Sequence, residues 1–445
     1  MRHAAPPGRG LGTDQGRRRF RETIELLAAI ALHRRRGRHR RRRRGRGVLV
    51  AVFLCAALGF AVALVWSSTH HGPGPAHARN ASGNAGNTKT LLNAGNTKTL
   101  LLDLNGTSYN WSAVAPTYQA VVLNDWEASW IPEIKAASPG TQVFVYKDLS
   151  SARSTDCTGN PAGTNSCISD GVFCPPGIND SSTLSAGLGF CWTWRNHPSW
   201  FLRDSSGALI TERGYPTQYV MDFGNPVYQA QWLANVKADV LHNGWDGVFM
   251  DNVMDNTNYG TPASYPTPAA IQDTMLSMLK IVGPGLKAAG ITNIGNLGYN
   301  NLYPALWGAW LPYVSGFMNE FTYYWPGNSP QGAEDWNGFL EPEVRACASQ
   351  EKVCIFNIGN STLTQAQIDF ATASILLYSD GNSYISFGDG NADGDQDPHV
   401  ALGSATDSAC QSDGIWSRDF TGGSISVNPV AGTSRDSGHD LADCT

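Results

Sequence analysis

The feature that most constrains the fold is a rhythm that begins near residue 100. Short apolar runs recur, each closing on a polar residue, with helix-like segments between them. The runs are "LLLDL" (100–104), "AVVLND" (120–125), "QVFVYKD" (142–148), "QYVMDF" (218–223), "DGVFMD" (246–251), "TNIGN" (292–296), "SGFMNE" (315–320), "KVCIFNI" (352–358) and "SYISFGD" (383–389). Continuous rather than alternating apolarity suits parallel strands covered on both faces. Between them, "NPVYQAQWLANVKADVLHNG" (225–244) sets Val227, Trp232, Val236 and Val240 at helical spacing and ends on Gly244. Residues 267–290 and 364–381 read the same way. Strand and helix alternating about eight times predict an α/β fold, a (β/α)8 barrel. Nine runs is one too many. "LLLDL" is set aside as a lead-in strand, because no helix separates it from "AVVLND". That makes "DGVFMD" the fourth strand and "SGFMNE" the sixth.

The chain before residue 99 has a different texture. Residues 1–46 hold 16 of the 32 Lys+Arg and three acids (Asp14, Glu22, Glu25), leaving 16 basic against 34 acidic side chains in the remainder, a balance of −18. A phosphate-binding surface runs the other way, so nucleic acid is not expected as a partner of the main domain. Directly after the arginines comes "VLVAVFLCAALGFAVALVW" (48–66), without a charge. Such a stretch suffices to cross a bilayer as a helix. The predicted order is an Arg-rich cytoplasmic segment (1–46), a transmembrane helix (47–66), a Gly/Ser/Asn-rich linker (67–98) and the barrel (99–400) outside the cell membrane, on a single-pass anchor. A cleaved signal peptide with "AHA" at 76–78 is the competing reading. Eight of the nine cysteines follow the span. An even number in an oxidising compartment suggests disulfides, with Cys347–Cys354 and Cys410–Cys444 as the local guesses.

In a barrel of this kind, residues at the C-terminal ends of the strands face the site. Asp251 and Glu320 each end a strand, two strands apart. Paired carboxylates at such a mouth are what glycoside hydrolysis needs, one as nucleophile or base and one as acid. The plain structural alternative for each is a helix cap or a loop salt bridge. Other polar strand ends fit a hydroxyl-rich ligand as a set: Asn124 and Asp125, Lys147 and Asp148, Asp222, Asn296, Asn319 and Asn357, with Asn252 beside Asp251. For Lys147 the plain alternative is an ion pair with Asp148. Aromatic rings in the same loops, Trp126, Tyr324 and Trp325, offer flat faces for sugar C–H bonds. Trp200 and Phe201 in the long segment 149–216 read at least as well as core under a loop. "DGNADGDQD" (389–397) matches the early positions of a calcium loop, but its twelfth position is Val400 rather than a bidentate Glu. A structural calcium is therefore a weak expectation, and neither a catalytic metal nor a cofactor is expected.

"SWFLRDSSGALI" (199–210), "YVMDFGNPVYQAQW" (219–232), "GWDGVFMDNV" (244–253) and "VSGFMNEF" (314–321) resemble a glycosyl hydrolase-like family numbered fifteen. "VFVYKDLSS" (143–151) and "WSRDFTGGSISVNP" (416–429) fit it too, so the resemblance covers about residues 100–430. The family is similar in pattern to polygalactosaminidase-type barrels, whose "DGV…DN" strand also ends on a carboxylate. The resemblance implies a barrel with a short C-terminal β element (401–445), Asp251 as nucleophile or base and Glu320 as acid. The expected function is a membrane-anchored extracellular hydrolase of O-glycosidic bonds in a poly- or oligosaccharide. The alternative is a catalytically inert surface glycan-binding barrel.

Overall fold

The computed structural model describes residues 98–258, 260–298, 301–325, 329–358, 363–387 and 402–437. Eight parallel strands, β1 (Lys98–Leu102), β2 (Ala120–Leu123), β3 (Gln142–Asp148), β4 (Gly247–Val253), β5 (Thr292–Leu297), β6 (Gly316–Asn319), β7 (Ile355–Asn357) and β8 (Tyr384–Ser386), close into a barrel in chain order. The predicted barrel is present, but two of its strands were assigned wrongly from sequence. The "LLLDL" run is not a lead-in. It is β1, and it closes the barrel by pairing with β8 on one side and β2 on the other. Its crossover is a single helical turn, Trp111–Val114, continued by Ala115–Thr117. A turn that short shows no periodicity.

The "QYVMDF" run lies outside the barrel. Tyr215–Val220 runs antiparallel to Ser151–Arg153 and Thr211–Glu212, within the long segment joining β3 to β4. One strand gained and one lost leave "DGVFMD" fourth and "SGFMNE" sixth.

The crossover helices form where their caps predict them. Asn225 accepts from the backbone N–H groups of Val227 and Tyr228 to start Pro226–Asn243, and Gly244, at φ 78°, ends it in the left-handed conformation that glycine adopts most readily. Its buried stripe is Tyr228, Trp232, Val236 and Val240, four residues apart; Val227, predicted inward, is exposed. Thr267 caps Pro268–Lys287, and a Thr364/Gln367 capping box starts Gln365–Leu376.

Alternate strand positions fill the barrel. Phe144, Tyr146, Phe249, Ile294, Met318 and Ile355 belong to one buried cluster. Gly247 makes room for it: a Cβ there would sit 2.7 Å from the Phe144 ring. The outward strand residues, among them Leu101, Val121, Val143, Val145 and Val248, join helix residues such as Trp232 and Val236 in a second, larger hydrophobic cluster.

After the barrel, four antiparallel strands (Cys410–Ser412, Ile415–Phe420, Gly423–Asn428 and Thr433–Ser437) form a separate sheet. Arg418 ties it to the barrel by donating to the carbonyls of Leu376, Leu377 and Ser379, at the open end of the last crossover helix.

Disulfides join Cys157–Cys167, Cys174–Cys191 and Cys347–Cys354. The last pair matches its prediction. Cys410 is also disulfide-bonded, while its predicted partner, Cys444, lies outside the described residues. The same holds for the proposed span 47–66 and the acidic loop 389–397. Among the described residues, no helix is long and apolar enough to cross a membrane.

One buried acid ties stability to pH. Asp255 is fully buried, and its Oδ2 has no partner, while Oδ1 accepts from Asn256 Nδ2 at 2.6 Å. Burial pushes its pKa up to about 8. The folded state therefore keeps a proton that the unfolded chain releases near pH 4. Stability should then fall as pH rises from there to about 8, by at most about 1.4 kcal/mol per pH unit for this one group. Asp103, raised by burial to about 6, and Glu127, raised to about 7, act in the same direction. Asp255→Asn is expected to be more stable than the parent chain at pH 8 and to lose part of the slope. Urea midpoints at pH 5 and pH 8 check this; an unchanged slope would refute it.

Candidate active site

The site is built from the phase of the pleat. In β4 the inward residues are Gly247, Phe249 and then Asp251; in β5, Ile294 and Asn296; from β6 onward, Met318 and then Glu320. Each series starts as barrel core and ends as a polar group at the C-terminal mouth. Asn296 links the two acids. Its Nδ2 donates to Asp251 Oδ1 at 2.9 Å and to Glu320 Oε2 at 3.3 Å. Bonded to one nitrogen at these lengths, the two acceptor oxygens lie no more than about 6 Å apart.

Asp251 is held on every side. Its Oδ1 also accepts from the Asn252 backbone N–H at 2.9 Å, and its Oδ2 accepts from the Tyr146 hydroxyl. Asn252 sits at φ 57°, beside a register shift in the β4–β5 pairing. That left-handed kink turns its amide to Asp148 Oδ2 at 2.8 Å and to both Glu212 oxygens at 3.1 Å.

The electrostatics are those of a crowded acidic pocket. Burial, with Asp148 and Asp251 nearby, raises the Glu212 carboxyl well above the ordinary range. Asp148 is raised by burial and by Asp251, although Ser151 and Asn252 donate to it. Arg153 stands among these acids and donates to the Tyr146 hydroxyl at 2.7 Å. Burial works against its charge, but Tyr146, Asp148, Asp156 and Asp251 outweigh that and raise its pKa. Tyr215, half-exposed, has its phenol pushed up to about 12 by desolvation and by Glu320 and Asp251.

Several expected contacts do not reach this mouth. Lys147 points away from the interior, because its neighbours Tyr146 and Asp148 take the inward phase of β3. Its Nζ is 2.5 Å from Asp125 and 2.8 Å from Asp239, so it does form an ion pair, but with these two acids rather than the expected Asp148, and Asp125 leaves the ligand set with it. Asp222 follows the antiparallel strand rather than a barrel strand and accepts from Tyr265 at 2.6 Å. Tyr324 is buried, and its hydroxyl donates to Gln367 O at 3.3 Å. Trp126 is exposed, and Trp325, partly exposed, packs near Phe321. Trp200 and Phe201 are core: they pack with Phe190, Trp194 and Tyr228.

Four members of the cluster were missed. Tyr146 was hidden inside an apolar run, where a tyrosine counts as core. Arg153, Glu212 and Tyr215 sit in the segment joining β3 to β4 and reach the mouth only through antiparallel pairing of 151–153 with 211–220. No local pattern announces that pairing.

An eight-stranded parallel barrel with carboxylates gathered at its C-terminal mouth defines the class, a (β/α)8 barrel. Residues 177–424 match the family described as "Hypothetical glycosyl hydrolase family 15", and the chain belongs to that family. Among solved structures it is similar to the glycoside hydrolase domain of PelA from Pseudomonas aeruginosa, at 14% identity, covering 66% of this chain and 96% of that one, with a TM-score of 0.41. It is also similar to Aspergillus fumigatus Ega3 in complex with galactosamine, at 16% identity, covering 67% and 94%, with a TM-score of 0.35. No functionally curated protein matches the chain in sequence.

Proposed function

We propose that this chain is a retaining glycoside hydrolase acting on a poly- or oligosaccharide. The observation that carries the reading is the shared Asn296 amide, which bonds both Asp251 and Glu320. Oxygens no more than about 6 Å apart fit two carboxyl groups that work without a water between them; inverting pairs stand about 6.5–9.5 Å apart. In this mechanism, Asp251 Oδ attacks the anomeric carbon while the Glu320 carboxyl gives its proton to the departing glycosidic oxygen. The Glu320 carboxylate then takes a proton from water, whose oxygen displaces Asp251 from the anomeric carbon. The free sugar leaves with its original anomeric configuration, and both side chains return to their starting forms. The partial exposure of Asp251 and the exposure of Glu320 support access for a substrate. Of the predicted contacts, Asn252 and Asn296 keep a place in this pocket.

The same reading keeps the anchor. The arginine block, the apolar stretch 47–66 and the linker would tether the hydrolase outside the membrane, and disulfides in the barrel domain favour an oxidising compartment.

Incubating the chain with a panel of neutral, acidic and amino-sugar polymers, with product analysis, is the test. The expected result is release of oligosaccharide whose first-formed anomer, seen by proton NMR, has the configuration of the bond cleaved. First-formed product of opposite configuration would remove the retaining mechanism. Binding without any release would leave the inert glycan-binding module.

A further inference from the structure

We propose that Arg153, acting through Tyr146, holds Asp251 as an oriented carboxylate, and that both are positioning residues for the reaction. The inference rests on the hydrolase reading for its consequence, but its physical content is local. A guanidinium has donors and no acceptor. The Tyr146 oxygen must therefore accept the 2.7 Å bond from Arg153 Nη2. Its single proton is then free for one acceptor, and that acceptor is Asp251 Oδ2. The direction of the chain is set by chemistry: Arg153 to Tyr146 to Asp251. The other oxygen, Oδ1, already takes two N–H bonds, from Asn252 and Asn296. With all three of these hydrogen bonds donated to it, Asp251 is bonded in the form that attacks and not in the form that gives up a proton.

The surrounding charges make this arrangement necessary. Asp148 from β3, Glu212 from the 211–220 hairpin and Glu320 beyond β6 all crowd the same pocket as Asp251. Tyr215 of that hairpin adds a phenol and no positive charge. Each acid favours protonation of the others. Arg153 is the counter-charge placed among them, lying 5.0 Å from the centre of the Tyr146 ring. It is delivered by the strand Ser151–Arg153, paired to Gln218 opposite. The segment joining β3 to β4 therefore does more than cover the barrel: it supplies the cation that the barrel strands do not.

Three variants of the full chain test this: Tyr146→Phe, which deletes one oxygen and keeps the ring against Phe249; Arg153→Met, which deletes the charge; and Arg153→Lys, the conservative control. On the glycan cleaved by the parent chain, the acid limb of the kcat/KM profile should move up by about one pH unit in the first two variants. Their kcat should fall about tenfold or more with KM little changed, and Arg153→Lys should recover part of the loss. A merely structural role would lower the folded fraction without moving the limb. A second measurement does not need activity. With ¹³C-carboxyl aspartate, the Asp251 signal at neutral pH, assigned by its disappearance in Asp251→Asn, should move in both variants, because the carboxylate loses the Tyr146 donor or the cation behind it. An unmoved Asp251 signal in both would overturn the proposal. A moved signal in a chain that cleaves no glycan would uphold the relay and reject the hydrolase.

Discussion

Asp251→Asn is expected to reduce turnover of the glycan substrate by at least about 10⁴-fold, because it removes the only group proposed to bond the anomeric carbon. The variant should fold. Asn is isosteric with Asp, and Tyr146 Oη can accept from the new amide as well as from Arg153. The donors on Oδ1, Asn252 N–H and Asn296 Nδ2, would keep their acceptor. A stability loss of about 1–2 kcal/mol, the usual scale for a weakened buried hydrogen bond, is the expected side effect. Glu320→Gln should behave differently. Loss of the acid costs about 10²–10⁴-fold on a natural glycan and far less on an aryl glycoside whose leaving group needs no proton. Added azide should replace the missing acid/base function in that variant and give a glycosyl azide of retained configuration. An undiminished rate in Asp251→Asn would take Asp251 out of the mechanism. Equal losses on both substrates in Glu320→Gln would take away the acid role.

Much of this site was legible in the sequence, and the reason is directional. A parallel strand must leave the core at its C-terminal end, so an apolar run that stops at a carboxylate marks the mouth without any knowledge of pairing. Asp251, Glu320 and Asn296 all obey that rule. Lys147 shows where the rule stops. The sequence places Lys147 and Asp148 together at a strand end, but a pleated strand can turn only one of two neighbours inward. The register that pairs Asp251 with Asp148, and Met250 with Lys147, decides between them. Such a register joins residues about a hundred positions apart and leaves no local trace. The same holds for Arg153 and Glu212, which depend on pairing within an irregular segment. The first strand is misassigned for a different reason: the crossover after β1 is one helical turn, too short to be seen as a helix.

Lys147→Met is expected to destabilise the fold by about 3–5 kcal/mol, the scale for stripping one partner from a buried ion pair. Lys147 is 2% exposed and Asp125 4% exposed; the ammonium donates to Asp125 and to the Leu184 carbonyl and is ion-paired with Asp239. Methionine fills most of the volume, so the cost comes from the stranded acids rather than from a cavity. Asp239, at 22% side-chain exposure, can turn to water, whereas Asp125 cannot. Burial already raises the Asp125 carboxyl even with Lys147 beside it. Without the ammonium that shift grows, and Asp125 takes up its proton at higher pH than in the parent chain. The sign follows. A folded-state pKa raised above the unfolded value makes stability fall as pH rises, so the penalty should be larger at pH 8 than at pH 5. Adding Asp125→Asn should recover a large part of the loss and flatten that dependence. Because Lys147 faces away from the barrel interior, the KM for glycan should stay within about twofold for the folded protein, whereas a lost charged contact costs about 1.5–3 kcal/mol, more than tenfold. Denaturant midpoints at the two pH values, with KM measured where the variant is fully folded, decide the matter. A raised KM with unchanged stability would return Lys147 to the substrate site and reverse the assignment of its side chain to the outer layer.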